Sequence, residues 1–558
     1  MSRKRTLFVG LDAACWEYYQ PLLDKNLLPA LQSLLDTGSR GIAHSTMPAW
    51  TPTAWGSIIT GKNPGKHGIY DMFWRRPGTY EFDATGADVR QGTPFWTRLN
   101  QAGISTGLVN IPFTYPPDPV NGFVVTGFGA PPNKTDFAYP PEAAAWITEN
   151  FGEYEPWLRF NKLRKTRPRK KIKADLKHQA AQVDMAIALA EKYQVDVLAI
   201  NLMSPDHANH LLPSMAAIER TLIATDAELR RLLDAFAPDN VMLFSDHGSR
   251  RVKGDFLLHE WFVERGYIAR SPRPRAEQPG VLNSILISYL KGRRKLPKRW
   301  RRVARRFLAL LFYLLPGPFK ERFWARIGRV MPFARRNYEY ALGMDAARSQ
   351  CFFGSSRSGL IYVNEVGRYP QGMVSAAGKP ALLAKLAREL AEITDPETGQ
   401  PLISAVHLAP EIYTGPAVRY APDLTLDFYD TPWNTLHTLY RGAYSEKLQH
   451  RYFVNNKSDF GHHSRDGLFV FAGADFVPGD GGLLRMADLP ATLLHLYHVP
   501  LPEDWDGAAL TGVLTPEIGQ RPILRQPGDP SETDSAQSNY SATENDELIE
   551  RLADLGYL

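Results

Sequence analysis

A disulfide framework is excluded at once, because 558 residues hold only two cysteines, Cys15 and Cys351. So few thiols point to a reducing compartment. No run of about 20 apolar residues occurs, so no membrane-spanning helix is expected. Ser2-Arg3-Lys4-Arg5 imitates a secretory leader for a few residues only. The apolar run that follows is broken at Asp12, and no small-residue cleavage site comes after it. The expectation is a cytoplasmic protein. Strong charge of one sign is missing too: the formal net charge is +6, modest for this length, and only its distribution is informative. No internal repeat is visible.

What is present is ordinary for a soluble globular chain, with 44% hydrophobic and 22% charged residues. The length suits one large α/β domain with insertions, or two domains. Strand-like apolar runs end repeatedly in polar residues. Leu7 to Leu11 ends at Asp12, Val195 to Leu202 runs into Asp206-His-Ala-Asn-His210, and Asn240 to Phe244 ends at Ser245-Asp246-His247. Helical patterns over Lys173–Lys192 and Met215–Phe236 precede the last two. Strands alternating with helices predict a mostly parallel sheet covered by helices on both faces. In such sheets ligands bind beyond the carboxyl ends of the strands, where these polar residues fall. Further strands are expected at Gly107–Val109, Ser358–Asn364, Leu402–Leu408 and Gly467–Gly473. Helices are expected at Ala381–Ile393 and Met486–His498. The Pro- and aromatic-rich stretch between Asn110 and Lys173 reads as irregular structure over the sheet end.

Thr51-Pro52 opens a short helical pattern that Gly61 and Pro64 stop. Thr51 there is either a plain N-cap or, with its hydroxyl at a helix N-terminus, a nucleophile whose pKa a metal ion could lower. The rest of the chain supplies candidate ligands. Asp206 and His210 are four apart and share a helical face, Asp246-His247 follows a strand, and His462-His463 precedes one. Each alone is weak. Together with Asp12 they fall at the ends of separate sheet elements, and mixed Asp/His ligands suit zinc or manganese.

These motifs, in this order, resemble the alkaline phosphatase superfamily, in its type I phosphodiesterase/nucleotide pyrophosphatase branch. The matching residues are Gly10-Leu11-Asp12-Ala13, Thr51 with Thr60-Gly61, Pro64-x-x-His67-Gly68-Ile69, Asp206-x-x-x-His210, Ser245-Asp246-His247-Gly248 and His463-x-x-x-Gly467. The resemblance extends to about Gly507. It implies an alkaline-phosphatase-like core and two divalent ions, zinc foremost with manganese as the alternative. Asp206, His210 and His463 would hold one ion. Asp12, Asp246 and His247 would hold the other, with Thr51 as its further ligand and the nucleophile. The implied reaction is hydrolysis of a phosphodiester or pyrophosphate through a phospho-threonine intermediate. A phosphomonoesterase or phosphonate hydrolase on the same site is the alternative, and a membrane-surface protein with a non-catalytic metal site is the non-enzyme one. The sulfatase branch is disfavoured because no Cys-x-Pro-x-Arg occurs. One departure concerns the asparagine that nucleotide pyrophosphatases carry shortly after His-Gly-Ile as a phosphoryl donor. Met72 stands there, which cannot donate, and Asn110 is the candidate replacement for this phosphate contact.

The second departure is a long basic stretch. Residues 1–269 and 341–525 read as the catalytic domain, 270–340 as a basic and apolar helical insertion, 526–545 as a flexible linker and 546–558 as a terminal helix. Within the insertion, the arginine- and lysine-rich run from Lys291 leads into Phe307–Leu315. Residues 291–315 either cap the catalytic domain or lie against an anionic membrane surface. Nucleic acid is disfavoured as a partner, because no aromatic platform alternates with the basic residues. The expected substrate is a small phosphorylated molecule, a nucleotide or a lipid-like phosphodiester.

Overall fold

The computed structural model describes residues 4–132, 134–158, 168–212, 214–270, 344–355, 357–435, 452–529 and 540–555. Strand Thr6–Leu11 is the axis of the fold, and its sequence says why. Leu7, Val9 and Leu11 point into one apolar cluster and Phe8 into another, so the strand is buried on both faces. That pattern belongs to a central strand between two helical layers. The strands flanking it, Val197–Leu202 and Asn240–Phe244, are parallel to it and fully buried.

Among the described residues, this sheet has nine strands. Its order is Gly479–Arg485, Ser39–His44, Asp466–Gly473, Asn240–Phe244, Thr6–Leu11, Val197–Leu202, Thr106–Ile111, Gly122–Thr126 and Ala138–Tyr139. Only Asp466–Gly473 and Ala138–Tyr139 run antiparallel to the rest. Helices Pro168–Tyr193 and Met215–Phe236 pack on one face through the cluster containing Leu189, Leu222 and Leu229. Helices Thr51–Thr60, Phe95–Gln101 and Asp488–Leu496 cover the other through Trp55, Trp96 and Leu493. The α/β architecture with a mostly parallel sheet is thus as expected.

Two smaller sheets sit beside this core. One is four-stranded, from Cys351–Phe353, Leu360–Val363, Leu424–Asp427 and Ala405–Leu408. The other pairs Gly248–Phe256 with Trp433–Thr435 on one side and Phe453–Ser464 on the other. Asp71 ties the first of these to the core: its carboxylate accepts the backbone N–H of Ser355 at 2.7 Å and the Ser355 hydroxyl at 2.7 Å. Burial nevertheless pushes this carboxyl up to about 6. The folded chain therefore keeps a proton that the unfolded chain loses, and the contribution of Asp71 to stability falls as pH rises from the ordinary carboxylate range through about 6. Asp71→Asn is expected to flatten that slope, by on the order of 2–3 kcal/mol across the interval, in urea melts recorded at several pH values.

Several expectations need correcting. The stretch expected to be irregular contains the strands Gly122–Thr126 and Ala138–Tyr139 and the helix Pro141–Phe151. Flanking prolines hid them, although Phe123-Val-Val is a good strand former. Part of the expected linker is tied down: Asp529 accepts the Thr93 N–H at 3.1 Å and hydroxyl at 2.8 Å, and pairs with Arg98 and Lys62. The terminal helix runs from Ala542 to Leu555, four residues earlier in its start than expected. Arg270, where the expected insertion begins, forms a bridge with Met344, four residues beyond its expected end at 340. The insertion, with the basic run 291–315, lies outside the described residues. Among the described residues, no helix is long and apolar enough to cross a membrane.

Candidate active site

Thr51 is the first residue of a helix whose ten residues are all buried. Gly61 ends that helix in the left-handed region at φ 67°, where a side chain would also collide with the Trp505 ring. The N-cap residue of this helix is Trp50, not Thr51, and the Thr51 hydroxyl lies 3.2 Å from His247 Nε2. His247 is placed by the turn between Asn240–Phe244 and Gly248–Phe256. Its Nδ1 lies 3.1 Å from the Gly248 carbonyl, which can only accept, so Nδ1 carries the proton and Nε2 presents a lone pair. That lone pair faces Asp12 Oδ1 at 3.6 Å and Asp246 Oδ2 at 3.5 Å.

A second group lies alongside. Helix Ser204–Leu211 presents Asp206 and His210, which are 3.2 Å apart. His463 arrives from strand Phe453–Ser464, where it pairs with Ser249 in register. Its Nδ1 donates to the Ala49 carbonyl at 2.9 Å by the same reasoning, leaving Nε2 towards His210 Nε2 at 3.0 Å and Asp206 Oδ1 at 3.6 Å. The rings of His247 and His463 stack at 3.8 Å, which sets the two groups side by side.

Three carboxylates in one buried place are electrostatically costly. Burial, then the charges of Asp246 and Asp206, push the Asp12 carboxyl well above the ordinary range. Burial, then Asp206, push Asp246 up to about 8. Burial also opposes charge on Asp206, but His210 and then His463 outweigh it and hold that carboxyl well below the usual range. Burial and His247 bring His463 down to about 3, so its imidazole is neutral, as a ligand must be. Among the described residues, Asp12 Oδ1 has no hydrogen-bond partner, and neither Asp246 side-chain oxygen has one of good geometry. The ligand atoms in each group, Asp206/His210/His463 and Asp12/Asp246/His247, lie within 4.8 Å of one another. Converging ligand atoms in both groups, with the bare carboxylate oxygens of Asp12 and Asp246 in one of them, fit a divalent cation in each.

The other candidates fall out differently. His462 stays outside both groups: its Nδ1 accepts the His463 N–H at 2.9 Å, and burial with its neighbours keeps it neutral. His67 packs against Gly56, with Nε2 3.1 Å from the Ser57 hydroxyl and Nδ1 accepting the Ile69 N–H, a structural arrangement. Met72 is fully buried in an apolar cluster. Asn110 does end its strand region, but its amide donates to the Asn201 carbonyl at 2.8 Å, and it lines a cavity with Asp175, His178 and His207. That hydrogen bond uses one of the two N–H groups of the Asn110 amide.

Three contributors were missed in the sequence. Asn201 donates to Asp12 Oδ2 at 3.0 Å, and Gly10 beside it has no room for a side chain, which would meet Asn201 Oδ1 at 2.4 Å. The Ser245 hydroxyl donates to the His247 carbonyl at 2.5 Å and accepts the Ala14 N–H at 2.8 Å. Arg250, buried, donates to the His463 carbonyl at 2.9 Å and to the Trp433 carbonyl at 3.1 Å. Asn201 and Ser245 lie inside the motifs already singled out, adjoining their carboxylates and imidazoles. Arg250 carries no local signal.

The family model for type I phosphodiesterases/nucleotide pyrophosphatases matches residues 6–311, more than half of the chain. The chain belongs to that family. The matched span includes Asp12, Thr51, Asp206, His210, Asp246 and His247, while His463 lies beyond it. As a type I phosphodiesterase/nucleotide pyrophosphatase, the protein is a hydrolase, and divalent-metal dependence is typical of the family. No curated protein matches the chain significantly. Among solved structures, similar ones include an inactive murine ectonucleotide pyrophosphatase/phosphodiesterase 5 in complex with AMP. It shows 13% identity and a TM-score of 0.48, over 92% of this chain and 100% of that one. A phosphonoacetate hydrolase from Sinorhizobium meliloti 1021, in complex with phosphonoacetate, shows 13% identity and a TM-score of 0.49, over 88% of this chain and 94% of that one. Likeness at this level does not set the substrate of this family member.

Proposed function

We propose that this family member hydrolyses a phosphodiester or pyrophosphate by way of a phospho-threonine at Thr51. The observation that carries the reading is the position of the Thr51 hydroxyl, 3.2 Å from the lone pair of His247 and beside two buried carboxylates. Asp12, Asp246 and His247, with Thr51, would hold one divalent ion, and Asp206, His210 and His463 the other. Zinc is the first expectation and manganese the second. Such ions lower the pKa of a hydroxyl or a water and offset charge on the phosphoryl oxygens.

The protein's own part is positioning. The Thr51 hydroxyl is held at a helix N-terminus, whose free N–H groups and dipole favour the negative oxygens of a phosphoryl group. Attack of Thr51 Oγ1 on phosphorus forms the Oγ1–P bond and expels the first alcohol or phosphate. Attack of water on the same phosphorus then breaks that bond and returns Thr51. Asn201, Ser245 and the Ala49 carbonyl fix Asp12, His247 and His463 so that no reorganisation is needed during either displacement. The site of action in this reading is the cytoplasm, and the substrate is a small phosphorylated molecule.

The test compares bis-nitrophenyl phosphate, nitrophenyl phosphate and a phosphonate on zinc- or manganese-loaded protein. The diester is expected to give the highest kcat/KM. A monoester or phosphonate preference would replace the diester label. Absence of turnover on all three with either metal would remove the enzymatic reading.

A further inference from the structure

The C-terminal helix Ala542–Leu555 lies beyond the span matched by the family model, yet it is docked firmly. Asn545 latches it in two directions, accepting the Ala84 N–H at 2.7 Å and donating to Asp83 Oδ1 at 2.9 Å. Glu544 pairs with Lys134, and the Arg551 guanidinium lies 5.3 Å from the Trp157 ring centroid. Leu548 and Leu552 are 0% and 2% exposed. The cluster that buries them contains Trp50, Met72, Phe113, Phe128, Trp157 and Met203.

Two of those residues matter most. Trp50 is the N-cap residue of the helix that begins with Thr51, and Met203 is the N-cap residue of the helix that carries Asp206 and His210. Trp50 also sets its ring edge-on against His463, with centroids 5.3 Å apart. The starts of both catalytic helices are therefore packed into one apolar cluster, and the C-terminal leucines are part of its filling. Packed interiors transmit displacement rather than absorb it, and catalytic groups tolerate little.

We infer that the C-terminal helix is a positioning element of the active site: by completing the cluster around Trp50 and Met203 it sets the spacing between Thr51 and the Asp206/His210/His463 group. The effect on turnover rests on the function proposed above, whereas the effect on metal binding does not.

The test uses the full chain. Leu548→Ala combined with Leu552→Ala thins the cluster, Leu548→Met conserves its volume, and Asn545→Ala removes the latch. Each is assayed well below its own melting midpoint for zinc affinity, by competition with a chromogenic chelator, and for kcat/KM on bis-nitrophenyl phosphate. The double variant is expected to lose about 10- to 100-fold in kcat/KM and about tenfold in zinc affinity, with Leu548→Met close to wild type. Should the double variant not fold, Asn545→Ala carries the test, with a smaller loss in the same direction. Zinc affinity within about twofold of wild type in the folded variants, with only the melting midpoint lowered, would overturn the inference and leave the helix a stabilising element alone. If the wild type turns over no ester, the proposed function fails, while zinc affinity across the variants still decides the role of the helix.

Discussion

Thr51→Ala is expected to abolish steady-state diester turnover, by on the order of 10³–10⁶-fold, while leaving metal binding within a few-fold of wild type. The two halves of this expectation come from different atoms. The substitution removes the only group of residue 51 that can bond to phosphorus, but leaves Asp12, Asp246 and His247, which form a cation-sized group without it. The surroundings should survive as well. Trp50, not Thr51, is the N-cap residue, and the Thr51 hydroxyl pairs with His247, so its loss costs the helix little, and Pro52 still opens the first turn. Thr51→Ser, which keeps the hydroxyl, is expected to retain part of the activity. Rapid acid quench during turnover should trap phosphate on the Thr51 peptide of the wild type, seen as a mass shift, and none in the alanine variant. Undiminished turnover by Thr51→Ala would mean direct attack by water, and the phospho-threonine scheme would have to be abandoned.

Much of the grouping at this site could be read from the chain alone because its candidate ligands follow from strand ends. Asp12 and Asp246 each come directly or almost directly after a run whose residues are buried on both faces. A strand of that kind leaves its first polar residues at the carboxyl end of the sheet, where a ligand can reach them. The helical spacing of Asp206 and His210 is equally local. His463 was harder. Its strand, Phe453–Ser464, has no apolar alternation to announce it, and it exists because Gly248–Phe256 pairs with it. Only the tertiary pairing carries His463 across to Asp206.

The same limit explains Arg250 and the C-terminal helix. Arg250 holds a carbonyl of a residue more than two hundred positions away, and Leu548 packs with residues from the first half of the chain. Neither has a periodic or spacing signature. Asn110 shows a different limit. Its place at a strand end was visible, but the direction of its amide depends on φ 55° at that residue, which turns the local backbone into the left-handed region. Strand-end position identifies a candidate, whereas backbone sign decides what the side chain meets.

Asp246→Asn should stabilise the metal-free protein and at the same time destroy its response to metal. Burial and the charge of Asp206 push the Asp246 carboxyl up to about 8, against an ordinary value of 3.8. The backbone N–H groups of Asp246, Ala13 and His247 offset this only in part. Between those two values the folded chain retains a proton that the unfolded chain has lost. The Asp246 contribution to the stability of the metal-free wild type therefore falls as pH rises from about 4 to about 8 and levels off above. A neutral asparagine has no such slope. The advantage of the variant should be small near pH 5 and on the order of a few kcal/mol near pH 8, read as a difference in melting midpoint under chelating conditions. Zinc should reverse the ranking, because a cation turns the repulsion among Asp12, Asp206 and Asp246 into attraction. Near pH 8 the wild type should gain several degrees on zinc addition and Asp246→Asn much less, with diester turnover lost in the variant. A variant that is less stable than wild type in chelator at every pH would show that Asp246 contributes to the fold by its charge, and the buried carboxylates would no longer argue for a metal centre.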